Sequence, residues 1–74
     1  MNSIVEIDAR GKPCPMPLLL LKRAMKQAEQ SQCFHLLASD PHSEIDIVRY
    51  CQLNHIQCRT EKKSATEYHY FIES

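Results

Sequence analysis

The residue types that could do chemistry are concentrated in one short segment, Cys14-Pro15-Met16-Pro17. Pro15 has a φ close to the helical value and disfavours the helical region for Cys14, which predicts that Cys14 is the N-cap of a helix. Three prolines, Pro13, Pro15 and Pro17, restrict the backbone around the thiol and make this helix start rigid. Free N–H groups and the helix dipole favour negative charge there, so we expect a lowered thiol pKa and a nucleophilic Cys14.

No partner for ordinary nucleophilic catalysis accompanies Cys14 in the local sequence. The segment has no histidine at short range, no Gly-rich phosphate loop and no neighbouring carboxylate, although Lys12 could contribute a positive charge. An exposed thiolate of this kind can attack the persulfide of a partner, become Cys–S–SH and give the terminal sulfur to the next nucleophile. The alternative interpretation is a small buried cysteine at a helix start.

Three further cysteines, Cys33, Cys51 and Cys58, are present, and the sequence has no CxxC pair. We therefore expect them to pack in the core or in strands rather than to resolve a disulfide. The four histidines lack the spacing of a zinc site, so the sequence predicts neither a metal nor another cofactor. Asp40 is interpreted as a helix cap and Asp46 as an acid near a helix start, neither with a catalytic role.

Length and charge exclude several classes of function. A chain of 74 residues is expected to form a single domain over residues 1–74, with its function on the surface. Lys and Arg (9) balance Asp and Glu (9), which argues against direct nucleic-acid binding and against attraction to an anionic membrane. The longest apolar run, Leu18 to Leu21, is too short to cross a bilayer, and Met1 to Arg10 contains no secretory signal. We therefore expect a cytoplasmic protein, whose thiols stay reduced.

The hydrophobic periodicity predicts the element order βαβαββ. We expect a strand from Ser3 to Asp8, a helix from about Pro15 to Gln30 and a strand from Cys33 to Ala38. A second helix follows, with Asp40 as N-cap, Pro41 at its first position and its end near Asn54. The last two expected strands lie around Ile56–Cys58 and Tyr68–Ile72, and a polar connection from Glu61 to Thr66 joins them. Strand, helix and strand in succession imply a parallel pair with a right-handed crossover, and the last two strands form a hairpin. Two helices then cover one face of a mixed four-stranded sheet, which makes an α/β two-layer sandwich.

Each predicted helix has an apolar face, and the first also has a basic one. The apolar face of the first helix consists of Leu18, Leu20, Leu21, Ala24, Met25 and Ala28, and that of the second of Ile45, Ile47, Val48 and Cys51. The basic face consists of Leu19 with Lys22, Arg23 and Lys26. This face lies just beyond Cys14 and could dock an acidic partner surface, with Lys12 and Met16 as further candidates for partner binding. The alternative is a solvated basic face with one stray leucine.

The segment from Ile7 to Leu18 resembles the signature of the TusA/SirA family of sulfur carriers, Leu-Asp-x-x-Gly-Leu-x-Cys-Pro-x-Pro followed by an apolar helix. Segments similar to others of that family follow in the same order, namely Ser39-Asp40-Pro41, Asp46 to Cys51, Asn54-His55-Ile56 and the final strand. Lys12 departs from the pattern, in which an apolar residue follows the glycine. The resemblance implies that Cys14 carries a persulfide.

The resemblance also implies protein partners rather than a cofactor. A cysteine desulfurase is the typical sulfur donor of the family, and typical acceptors are relay proteins that supply sulfur for tRNA 2-thiouridine or for other pathways. Such a carrier has no turnover of its own, because it is a substrate of one enzyme and a donor to another. The exposed thiol favours a monomer that joins its partners transiently.

Two other interpretations are open at this point. A βαβαββ domain could be a regulatory module that binds RNA or protein through its sheet, in which case Cys14→Ser would leave the function intact. A thiol redox protein would need a resolving cysteine close to Cys14 in space, and mild oxidation would then form an intramolecular disulfide.

Overall fold

The structure, a computed structural model, describes residues 4–28 and 32–73 as four strands and two helices. The strands are β1 (Ile4–Ala9), β2 (Cys33–Ala38), β3 (Gln57–Ser64) and β4 (Glu67–Glu73), and the helices are α1 (Met16–Gln27) and α2 (Ser43–Leu53). Their order along the chain is the predicted βαβαββ. Neither helix in this described part of the chain is long and apolar enough to cross a membrane.

The strands form one mixed sheet in the order β1-β2-β4-β3. β1 and β2 are parallel, with α1 as their crossover, whereas β4 is antiparallel to both β2 and β3. Ala9 at the end of β1 pairs with Ala38 at the end of β2. This register brings the loops that follow the two strands together at one end of the sheet, next to the C-terminal ends of β1 and β2.

Both helices pack against the same face of the sheet. The buried hydrophobic residues of this layer are Ala9, Phe34, Leu36, Ala38, Tyr68, Tyr70 and Ile72 from the strands and Leu21, Ile47 and Cys51 from the helices. In β2 and β4 they alternate along each strand and pair across the strands, as Leu36 does with Tyr70. Burial of each large side chain in this layer, such as that of Phe34, contributes about 1.5–3 kcal/mol to the free energy of unfolding. The predicted two-layer sandwich is confirmed.

The first predicted helix is confirmed in its position and in its apolar face. α1 begins at Met16 rather than at Pro15 and ends at Gln27. The predicted limits Gln30 of this helix and Ser3 of the first strand lie outside the described residues. Leu21 is fully buried, and the other residues of the predicted apolar face pack against the core.

The predicted start and apolar face of the second helix are partly wrong. α2 begins at Ser43, so Pro41 lies in a turn and Asp40 is not the N-cap. Ile45 is 57% exposed, although the periodicity predicts it on the apolar face. Because residues two positions apart do not share a face of a helix, Ile45 points away from the side on which Ile47 is buried.

The hairpin of the last two strands is tighter than predicted. β3 continues to Ser64, so most of the polar segment from Glu61 to Thr66 belongs to a strand, and the turn is Ala65-Thr66. β3 is an edge strand whose charged side chains pair along the strand, as Glu61 does with Lys63 at 2.8 Å. Charged residues are therefore compatible with a strand at this position.

Candidate functional site

Cys14 lies in the loop between β1 and α1, and it is exposed. Gly11 turns this loop with a φ of 80°, a conformation that residues with a side chain rarely adopt. Pro15, joined to Cys14 by a cis peptide bond, is the N-cap of α1, so Cys14 precedes the cap instead of forming it as predicted. Met16 donates its N–H to the Pro13 carbonyl at 2.8 Å, and this turn holds the thiol at the start of α1.

The start of α1 offers few free N–H groups to the thiol. Pro15 and Pro17 have no N–H, and the Met16 N–H is bonded to the Pro13 carbonyl. The prolines that make the turn rigid thus remove most of the donors on which the predicted thiolate depends.

Two aspartates contact Cys14 instead. The Cys14 N–H donates to Asp40 Oδ2 at 2.9 Å, and the thiol donates to Asp46 Oδ2. Asp40 follows β2 and Asp46 lies in the first turn of α2, 26 and 32 residues from Cys14 along the chain. The sequence predicts only helix-start roles for them, and the structure adds a contact with Cys14 to each. The parallel pairing of β1 and β2 is the signal that could have located them, since loops after parallel strands share one end of the sheet.

The pKa of the Cys14 thiol is raised to about 11 by the hydrogen bond to Asp46, then by desolvation and the charges of Asp46 and Asp40. The predicted lowering is wrong, because a thiolate at this position would face the carboxylate of Asp46 in place of free N–H groups. With this pKa, roughly one thiol in ten thousand is ionised at neutral pH. Free Cys14 is therefore accessible but mostly protonated.

A buried hydrogen-bond chain fixes the Asp40 loop to the sheet. Ser43, which is 1% exposed, donates from Oγ to the Asp40 carbonyl at 2.7 Å. Because its one proton is used there, the Ser43 hydroxyl accepts a hydrogen bond from Tyr70 Oη, also at 2.7 Å. Burial raises the pKa of Tyr70 to about 12, so this donor stays protonated. Gly11 in turn donates its N–H to Ser39 Oγ at 2.8 Å and ties the thiol loop to the Asp40 loop.

The predicted partner-binding residues are all exposed, namely Lys12, Met16, Leu19, Arg23 and Lys26. Leu19, Arg23 and Lys26 follow one another at helical spacing, and Leu19 is 48% exposed. Lys22, which the sequence groups with them, places its ammonium 5.1 Å from the centre of the Tyr50 ring and so contacts α2. We call the surface formed by Leu19, Arg23 and Lys26 the basic surface of α1.

The other cysteines have partners of their own. The thiols of Cys51 on α2 and Cys58 on β3 hydrogen-bond to each other, which raises the pKa of Cys51 and lowers that of Cys58. Cys33 contacts the carboxylate of Glu73 at 3.9 Å. The side-chain hydrogen-bond partner of Cys14 within the described residues is a carboxylate and not a resolving cysteine. Over residues 4–28 and 32–73, no group of three or more His, Cys, Asp or Glu side chains could hold a metal ion.

Comparisons with known proteins give matches over nearly the whole chain. A family model described as sulfurtransferase TusA matches residues 5–74. The chain is 28% identical over 68 residues to the sulfur carrier protein TusA of Allochromatium vinosum. This match covers 92% of the present chain and 90% of the Allochromatium protein. Its fold is similar to that of a SirA-like protein from Desulfitobacterium hafniense in a crystal structure, with a TM-score of 0.83, 22% identity and 97% of each chain covered.

Proposed function

The chain belongs to the TusA family of sulfur carriers, and we propose that it carries sulfur as a persulfide on Cys14. The observation that supports this most strongly is the setting of Cys14, an exposed thiol in a proline-rich turn whose described side-chain partner is a carboxylate. A carrier thiol needs access to its donor and to its acceptor, and it needs no neighbouring thiol that would displace its cargo.

Loading is an exchange of sulfur between two cysteines. The Cys14 sulfur attacks the terminal sulfur of a donor persulfide, a bond forms between these two atoms, and the donor S–S bond breaks. The electron pair of the broken bond leaves with the donor cysteine as a thiolate, which takes up the proton that Cys14 gives up. The donor thus changes from Cys–S–SH to Cys–SH while Cys14 does the reverse, without net oxidation or reduction. Unloading repeats the step with the next nucleophile.

A cysteine desulfurase is the proposed donor and a relay protein the proposed acceptor, with tRNA 2-thiouridine formation as one candidate end point. Both must reach the same thiol in turn, which favours a cytoplasmic monomer that binds them transiently and has no turnover of its own. The proposed docking surface is the basic surface of α1, together with Lys12 and Met16, which are exposed and lie two positions from Cys14 along the chain.

Intact mass after incubation with a cysteine desulfurase, its cofactor and free cysteine tests this proposal. We expect a gain of one sulfur atom that a reductant reverses and that is absent from Cys14→Ser. The matched control is Cys33→Ser, which replaces another partly accessible cysteine and should load as the wild type does. A wild type that gains no sulfur, or a Cys14→Ser variant that loads normally, would contradict the assignment.

The same samples separate the two other interpretations. A regulatory binding module predicts no persulfide on Cys14 and unchanged binding in Cys14→Ser. A redox protein predicts that mild oxidation joins Cys14 to another cysteine of the chain, which mass mapping of the oxidised protein would detect.

A further inference from the structure

Asp46 places a negative charge against the atom that the proposed function requires as a nucleophile. Its carboxylate accepts the hydrogen bond from Cys14 Sγ, while Asp40 binds the Cys14 N–H at 2.9 Å. The hydrogen bond between Ser43 and Tyr70 fixes the start of α2 to the sheet. The two carboxylates are therefore part of the folded framework and stay beside the thiol.

The groups that act on the charge of this thiol come from α2 and from the loop before it. Asp46 raises the pKa of Cys14 mainly through its hydrogen bond, and Asp40 adds the effect of its charge. Glu44 is the other acid in the first turn of α2, and it is exposed. It therefore provides a matched position at which a charge can be removed without breaking the contact with the thiol.

Building on the proposed function, we propose that Asp46 restricts Cys14 to sulfur transfer within a docked complex. In the free carrier, Asp46 keeps the proton on the thiol. In the complex, a cationic group of the protein donor pairs with the carboxylates of Asp46 and Asp40, the proton leaves Cys14, and its sulfur attacks the terminal sulfur of the donor persulfide. The proton ends on the donor thiolate that is released, so Asp46 is unchanged after each transfer.

The consequence is selectivity between protein donors and small molecules. Small electrophiles and small sulfane-sulfur compounds bring no cation to the carboxylates, so they meet a thiol that stays protonated. Raising the thiol pKa from 9.0 to about 11 lowers the thiolate fraction at neutral pH about 100-fold, and the stronger nucleophilicity of a more basic thiolate recovers about tenfold. The surroundings of the thiol, to which the hydrogen bond with Asp46 contributes most, therefore protect the free carrier about tenfold.

Alkylation of Cys14 by iodoacetamide, followed on the Cys14 peptide by mass spectrometry from neutral to strongly alkaline pH, tests the proposal. The wild-type rate is expected to rise with a midpoint near 11. In Asp46→Asn the midpoint should fall, and the rate at neutral pH should increase by up to about tenfold, because desolvation and the charge of Asp40 remain. Glu44→Gln removes one charge from the same turn and should behave as the wild type.

Two results of the alkylation experiment would overturn the proposal. One is a profile of Asp46→Asn that equals that of the wild type while circular dichroism shows a folded protein. The other is a wild-type midpoint at the ordinary value of 9.0, which decides the matter even if Asp46→Asn does not fold.

Loading rates from a cysteine desulfurase and from inorganic polysulfide provide the second measurement. The wild type should load faster from the desulfurase than from polysulfide. In Asp46→Asn the ratio of these two rates should fall by up to about tenfold, because the reaction with polysulfide accelerates. Asp46→Glu keeps the charge and should restore the preference. An equal preference in the wild type and in Asp46→Asn would overturn the proposal. If the desulfurase does not load even the wild type, the proposed function fails, and the alkylation profile still decides the role of Asp46.

Discussion

Cys14 and the Cys51–Cys58 pair place thiols in opposite environments. Cys14 is exposed, yet its hydrogen bond to Asp46 raises its pKa to about 11. Cys58 is half-buried, yet the hydrogen bond with the Cys51 thiol lowers its pKa. An accessible cysteine at a helix start is ordinarily expected to be the more acidic one. In these thiols, the nearest hydrogen-bonding group therefore affects the pKa more than solvent exposure does.

Access, and not acidity, is what sets Cys14 apart from Cys51. Cys14 is exposed in the loop that precedes α1, whereas Cys51 is 1% exposed and lies in the core. A thiol that exchanges sulfur with large partners must first be reachable by them. A partner can then supply the positive charge that ionises the thiol, but it cannot supply access to a buried atom.

The largest expected effect separates sulfur transfer from stability. Cys14→Ser should abolish persulfide loading and leave the free energy of unfolding at neutral pH nearly unchanged, because the side chain is exposed and a serine hydroxyl can donate to Asp46 as the thiol does. Cys51→Ser should load normally but lose about 1–3 kcal/mol of stability, because it puts a hydroxyl in the apolar core. Urea unfolding and the mass assay measure both quantities. A loss of stability in Cys14→Ser as large as that in Cys51→Ser would remove the contrast between the two environments.

An intermediate effect is expected at the basic surface of α1, where partners are proposed to dock. The double variant Arg23→Glu with Lys26→Glu should slow loading by the desulfurase about tenfold, because charge complementarity accelerates association. High salt should reduce the difference from the wild type. Lys62→Glu with Lys63→Glu on β3 reverses the same number of charges away from α1 and serves as the control. Equal loading kinetics in the two double variants would exclude docking on the basic surface of α1.

The smallest expected effect concerns stability at alkaline pH. A thiol with a pKa of about 11 in the folded state and 9.0 in the unfolded chain stabilises the fold below pH 9 and loses this contribution as the pH rises through 11. The wild type should therefore lose more stability than Cys14→Ser across this range. Urea midpoints of the two proteins at the two ends of the range measure the difference. Equal losses would mean that the carboxylates do not hold the proton on Cys14.

The fold could be predicted because its signals are local. The alternation of Phe34 and Leu36 with their neighbours specifies a strand, and the apolar stripe around Leu21 specifies a helix. The start of α2 was harder to predict, because an Asp-Pro pair also suits a turn, and here Asp40-Pro41 forms a turn that ends before the helix begins.

The site could be predicted only in part. Cys14 could be identified because the prolines next to it in the sequence restrict its backbone conformation. The contacts with Asp40 and Asp46 join positions 26 and 32 residues apart, and no local pattern reports a contact at that separation. The wrong direction of the thiol pKa has the same origin. The helix dipole is a local argument, whereas the carboxylates reach the thiol through the tertiary structure.

The separation between Cys14 and its aspartates also has a consequence for the unfolded chain. Before the chain has folded, Cys14 is a cysteine of ordinary acidity, which oxidants attack more readily than a thiol that a carboxylate keeps protonated. In many thiol proteins folding lowers the pKa of the reactive thiol, whereas in this protein folding raises the pKa of Cys14. The unfolded chain is therefore the form in which Cys14 itself is most open to oxidation.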